Sequence, residues 1–191
     1  MRMRSVPIFL FFALSFAVTL PTNASADEYQ DTVKIFRDAG QSAQFFNTAY
    51  GYAVFPTIGK GGAGIGGAYG SGRVYARGKH VGNTSMTQLT IGFQLGGQAY
   101  SQIIFFKDKR AFDEFTSGNF EFGAQASAVA ITAGASAAAN TAGSSAGASG
   151  GKNNAKTVGK YQKGMAVFTI AKGGLMYEAA IGGQKFGYTP L

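Results

Sequence analysis

Met86-Thr87-Gln88-Leu89-Thr90-Ile91-Gly92-Phe93-Gln94-Leu95 alternates with a period of two: Leu89, Ile91, Phe93 and Leu95 fall on one side, Gln88, Thr90, Gly92 and Gln94 on the other. Successive side chains of an extended chain point to opposite faces, so this pattern is the mark of a strand. Gly96-Gly97 interrupts it as a turn or bulge, and Tyr100 to Phe106 resumes as a second strand with a strongly apolar end, Ile103-Ile104-Phe105-Phe106. Upstream, Tyr52-Ala53-Val54-Phe55-Pro56 is a short buried strand ended by proline, and a glycine-rich run from Gly59 to Gly70 follows it. Arg73 to Arg77 alternates polar with apolar, and Gly78-Lys79 is a turn. Downstream, Met165 to Ala171 and Leu175 to Ile181 are strands joined across Lys172-Gly173-Gly174. The alanine-rich stretch Phe120 to Ala139 suits helix or strand by composition; Gly123, Gly134 and the Phe120-Glu121-Phe122 alternation favour strand.

Two segments follow a helical period. From Asp27 to Tyr50 the residues Val33, Phe36, Gly40, Ala43, Phe46 and Tyr50 recur every three or four positions and share one face. Acids gather in its first turns, where they suit the positive end of a helix dipole, and Gly51 is a natural stop. Such a helix either packs on a sheet or lies in a membrane interface. A short central helix covers Asp108 to Ser117, with Asp108 as its cap and Phe112 and Phe115 on one side. Short strands punctuated by glycine describe an α+β domain: a curved, mostly antiparallel, glycine-rich β-sheet, partly barrel-like, with an N-terminal amphipathic helix and the short central helix.

Residues 1 to 26 have the features of a cleavable secretory signal. Arg2 and Arg4 precede an apolar run from Pro7 to Leu20, Pro21 breaks the run, and Ala24-Ser25-Ala26 supplies the small-residue cleavage pattern. The run, of roughly 14 residues, is shorter than the about 20 that a bilayer-spanning helix needs. With no cysteine in the chain, lipidation, disulfides and thiolate metal sites are excluded. The expected product is one domain, residues 27–191, with a flexible Gly/Ala/Ser/Asn loop near residues 141–155, located in the periplasm or exported, including peripheral attachment to the outer or inner membrane.

Loss of Arg2 and Arg4 from the 17 basic residues leaves 15 against 9 acidic ones. Their distribution is uneven. Gly51 to Phe106 contains no Asp or Glu but carries Lys60, Arg73, Arg77 and Lys79, and Phe122 to Tyr177 is also acid-free but has five lysines, including Lys160, Lys163 and Lys172. Such segments attract anions such as lipid headgroups, or simply keep an apolar protein in solution. Export makes nucleic acid the poorer target. Enzyme chemistry finds little to work with. Two G-x-G-x-x-G matches, Gly59/Gly61/Gly64 and Gly62/Gly64/Gly67, lead into a strand, with no acid before Asp108. His80 is the lone histidine, too few imidazoles for an ordinary metal site. Asp113 and Glu114 diverge on their helix, and Glu121 with Glu178 has no supporting pattern.

The stretch Ala49-Tyr50-Gly51-Tyr52-Ala53-Val54-Phe55-Pro56, the glycine run Gly59 to Gly70 and Thr87 to Gln98 together resemble the SYLF-domain family of lipid-binding proteins, in its exported bacterial branch; the Phe105-Phe106 strand end and Lys172-Gly173-Gly174-Leu175 fit as well. In that family, eukaryotic relatives bind phosphoinositides and some fungal ones bind actin; the resemblance implies membrane contact through the N-terminal helix and basic residues. The expectation is a non-enzymatic phospholipid-binding protein of the bacterial envelope, with no cofactor or metal. Lys60, Arg73, Arg77 and Lys79 would meet the anionic headgroup, and Phe36, Phe45 and Phe46 would make the apolar lipid contact, at the membrane or around a lipid held by the curved sheet. Two alternatives remain: a small outer-membrane β-barrel, and an interaction module for another envelope protein working through exposed sheet edges.

Overall fold

In the computed structural model the described residues are 26–92, 98–124, 126–131, 160–172 and 181–191. The expected leader at 1–26 except Ala26, the end of the alternating strand from Phe93 to Leu95 with Gly96-Gly97, the alanine-rich stretch from 132 to 139, the whole loop near 141–155 and the strand expected at Leu175 to Ile181 except Ile181 therefore lie outside them. The elements are α1 (Ala26–Asp38), α2 (Gly40–Ala43), α3 (Phe45–Thr48), β1 (Gly51–Ala76), β2 (Lys79–Gly92), β3 (Gln98–Phe106), α4 (Lys109–Phe115), β4 (Phe120–Glu121), β5 (Val129–Ile131), β6 (Met165–Lys172) and β7 (Lys185–Pro190). The strands form one sheet in the order β4-β7-β2-β1-β3-β6-β5, antiparallel except for the β5–β6 pair. It is the α+β, mostly antiparallel sheet expected, curled into a half-barrel.

β1 explains the curl. Its 26 residues would span about 85 Å if straight, but the strand doubles back on itself. Its first arm pairs with β3 from Gly51 to Lys60, and its second pairs with β2 from Gly64 to Ala76. The two arms lie beside each other: Tyr52 stacks on Tyr75, Phe55 packs against Gly72 and Ile58 against Gly70. The Arg77 amide donates to the Tyr50 carbonyl at 3.1 Å. As one partner's number rises the other's falls, which is antiparallel register. Counting both arms, the sheet is eight strands wide.

Pro56 does not end the strand, contrary to the sequence expectation. It sits at a register shift between Phe55 and Ile58, where its missing N–H costs no ladder bond, and its carbonyl accepts from the Ser101 hydroxyl at 2.7 Å. The glycine run is strand as well. A Cβ on Gly72 would stand 2.7 Å from the Phe55 ring, and one on Gly70 would stand 2.6 Å from Ile58 Cγ1. These glycines let large apolar side chains fill the curl. Phe55, Ile58 and Met86, each fully buried, fill the inside of the curl beside these glycines.

Both faces of the central strands are covered. On one face Ala53, Phe55, Val74, Met86, Ile104, Phe106, Val167 and Phe186 pack under α4 and its Phe115. On the other Val54, Tyr75, Ile103, Phe105, Ala166 and Phe168 pack under α1 to α3. Burial on both sides is why Ile103 to Phe106 is a continuous apolar run rather than an alternating one. α4 begins as expected, with the Asp108 carboxylate accepting from the Ala111 amide at 2.9 Å. In β2 the alternation is real, but Met86 and Gln88 face the core while Leu89 is 85% exposed. Gln88 is accommodated because its Nε2 donates to the Gly182 carbonyl at 2.9 Å.

The single helix expected from Asp27 to Tyr50 is broken. Ala39 is extended (φ −79°, ψ 113°), and two single-turn helices continue to Thr48. The break turns Phe45 back under the chain, onto Phe105 and Phe168 at ring separations of 5.5 and 5.1 Å. The Ser42 hydroxyl donates to the Phe36 carbonyl and so ties the break together. β7 was not legible as a strand; it is recruited by pairing with β2 from Gly82↔Pro190 to Thr87↔Lys185.

Candidate functional site

Where the two ends of β1 meet, at the far end from its fold-back, α1 crosses the sheet and leaves a groove of about 610 Å³. Its walls include Val33 and Arg37 of α1, Phe46 of α3, Tyr50, Tyr52 and Tyr75 of β1 and its approach, and Arg77. That volume lies within the roughly 300–1,000 Å³ usual for small-ligand sites.

Local chemistry sets each side chain. Arg77 and Gly78 form the two-residue β1–β2 turn, with Ala76 opposite Lys79. Both have positive φ, 50° and 77°, as a type I′ turn requires. The turn is thus one residue earlier than the Gly78-Lys79 reading. Arg77 Cζ lies 5.3 Å from the Tyr50 ring centre. Arg37, in the last turn of α1 where the helix dipole favours a cation, stands 4.9 Å from the Phe46 ring. Stacking uses the flat face of a guanidinium and leaves its N–H edge free for an anion. Among the described residues neither arginine has a carboxylate partner. Lys34, also on the wall, is held by Asp38 at 2.5 Å, while the Asp31 carboxylate lines the groove as well. Burial pushes the Tyr52 hydroxyl up to about 12, with the Tyr75 hydroxyl raising it further and Arg37 lowering it. Tyr52 is therefore a neutral donor at any physiological pH.

The four basic residues expected at the headgroup do not form one cluster. Arg77 lines the groove, and Lys79 is exposed beside it on the same turn. Arg73 lies over the Tyr29 ring at 4.2 Å and helps hold α1 to the sheet. Lys60 lies ten residues along the strand from Tyr50, about 33 Å away at strand rise. Of the apolar residues, Phe36 is fully buried and Phe45 is 4% exposed. Both belong to the core beneath the helices, so in this fold neither offers a surface to lipid; Phe46, half-buried, forms a groove wall. Arg37 and Tyr75 were missed by sequence reasoning. The signal for Arg37 was its place beside Phe36 on an otherwise acidic helix; Tyr75 carried none until its pairing with Tyr52 was known.

A second cavity, of about 250 Å³, lies between α4 and β6, with Phe120, Phe122, Val167 and Ile181 among its walls. The other groups considered for chemistry are structural. His80 Nε2 donates to the Gly82 carbonyl at 3.0 Å, Asp113 and Glu114 pair with Lys109 and Arg110, and Glu121 pairs with Lys185 at 3.6 Å.

The face of β2 and β7 away from the core is mixed: Asn83, Thr87, Lys185 and Thr189 are exposed, and so is Leu89, whereas a lipid-facing barrel wall is predominantly apolar. No helix among the described residues is long and apolar enough to cross a membrane. Both edges of the described sheet are short, β4 of two residues and β5 of three, which leaves little backbone for a partner strand.

The molecule is thus a half-barrel sheet with helices on both faces and an aromatic groove rimmed by Arg37 and Arg77. The family model described as Ysc84, Las17-binding protein actin regulator, matches residues 87–186, and the chain belongs to that family, which carries the SYLF domain. No curated protein matches the chain.

Proposed function

We propose that this is a non-enzymatic, exported envelope protein that binds anionic phospholipid. The observation that carries the reading is the pair Arg37 and Arg77: two guanidiniums on one groove, each lying over an aromatic ring and neither in an ion pair among the described residues. Membership of a family associated with lipid and protein binding supports it, as does the acid-free stretch from Gly51 to Phe106. Export rests on the leader features of residues 1–26, and the bacterial periplasm is the compartment these features imply.

Flotation of the purified protein with vesicles tests this. Recovery with phosphatidylglycerol vesicles, absent with phosphatidylcholine and falling as salt rises, is the expected result. Binding indifferent to charge and salt, or no flotation, would reject it. The family model's description names an actin regulator's partner, Las17; a pull-down independent of lipid would favour a protein-binding role instead.

A further inference from the structure

We infer that the groove between α1 and the β1–β2 turn seats the phosphodiester of a single anionic phospholipid, clamped by Arg37 from one element and Arg77 from the other, so that the ligand fastens α1 to the sheet. This deepens the phospholipid reading and rests on it.

The two arginines come from different elements, α1 and the β1–β2 turn, and they carry like charge into one groove. Without an anion they repel; with a phosphate between them both attractions pull α1 inward. α1 is seated on the sheet by Tyr29, Val33 and Phe36, all buried, and its first turn is tied by Glu28, which reaches Lys172 at 3.5 Å and Thr57 at 3.0 Å. The Arg37 guanidinium lies on Phe46 of α3 with no carboxylate partner among the described residues, so an anion shared with Arg77 adds a tie between α1 and the β1–β2 turn.

The charge of the wall limits the ligand. Lys34 is offset by Asp38, and the Asp31 carboxylate adds negative charge to the same wall, so the groove suits a monoanion better than a polyphosphate. Val33, Phe46, Tyr52 and Tyr75 supply an apolar wall for the glycerol backbone and first acyl carbons. A phosphodiester with an attached apolar tail satisfies both demands. The cationic rim disfavours a choline headgroup.

The test uses dihexanoyl phosphatidylglycerol below its micelle concentration, with dihexanoyl phosphatidylcholine and inorganic phosphate as comparators. Hydrogen exchange of the α1 amides is read by mass spectrometry. The expected result is slowed exchange in α1 with phosphatidylglycerol alone, and affinity reduced about tenfold or more in each of Arg37→Gln and Arg77→Asn. Asparagine is used at 77 because it tolerates the positive φ there. Lys79→Gln, outside the groove lining, should leave the α1 effect in place. Binding with unchanged α1 exchange, or equal protection by inorganic phosphate, would overturn the proposal. If vesicles still float while the monomer does nothing, only the groove fails; if vesicles do not float either, the phospholipid reading fails with it.

Discussion

Tyr52 and Tyr75 stack across the two arms of a single strand, with ring centres 4.9 Å apart and planes 18° apart. They are directly opposed cross-strand residues on the helix-covered face, and they tie the fold-back of β1 to the groove floor. A stacked pair contributes about 0.5–1.5 kcal/mol beyond its buried area. A double-mutant cycle with Tyr52→Leu and Tyr75→Leu should therefore give a coupling of that size in urea denaturation. Strict additivity would mean that the arms are held together elsewhere.

Glycines along β1 should differ sharply in their tolerance of alanine. At Gly72 a methyl group would meet the Phe55 ring at 2.7 Å and Thr84 Cγ2 at 2.9 Å, so Gly72→Ala should cost about 1–3 kcal/mol. At Gly59 nothing lies within 4 Å of the added carbon, so Gly59→Ala should be neutral or stabilise by less than about 1 kcal/mol. Thermal unfolding of the two variants compares them directly, and equal effects would refute the packing role assigned to the run.

Inside the curl, Gln102 Nε2 donates to Gln184 Oε1 at 2.9 Å, and Gln184 Nε2 donates to the Tyr100 hydroxyl oxygen at 3.2 Å. Both glutamines are fully buried. Gln184→Leu strands its partner, with an expected loss of about 1–3 kcal/mol. The double variant Gln102→Leu with Gln184→Leu should recover part of that loss, because only the Tyr100 hydroxyl is then left without its partner. A double variant worse than the sum of the singles would show that the network is needed for closure itself.

Alkaline pH should weaken the fold. Burial holds the Tyr100 hydroxyl at about 12, against an ordinary 10, with the Gln184 hydrogen bond partly opposing. Above pH 10 the unfolded chain releases this proton while the folded chain keeps it. The stability is whole below pH 10 and declines as pH rises toward 12, by up to about 1.4 kcal/mol per pH unit for each such group. Urea midpoints measured through this range should fall less steeply in Tyr100→Phe than in the parent.

The elements that the sequence identified correctly are those whose signal is local. The alternation that begins at Met86 marks the strand described as far as Gly92, because side chains two residues apart share a face, and Asp108 marks a helix start because a carboxylate reaches an amide three residues on. The broken helix lacked such a signal. Phe45 and Phe46 read as one stripe with Phe36, and only packing against Phe105 and Phe168 decided that the chain must turn at Ala39.

By itself, then, the sequence determined the α+β class, the strand periods, the capped central helix and the acid-free basic segments. Tertiary structure decided where those charges stand. Arg37 and Arg77 are forty positions apart, and they share a groove because β1 folds back and α1 crosses the sheet where its two ends meet. Lys60, near the fold-back, and Arg77, just past the strand's end, stand far apart, since distance along an extended chain grows by about 3.3 Å per residue. Proximity of that kind follows from where a strand bends. The bend depends on how Phe55 and Ile58 fill the space over Gly72 and Gly70, which no local pattern records.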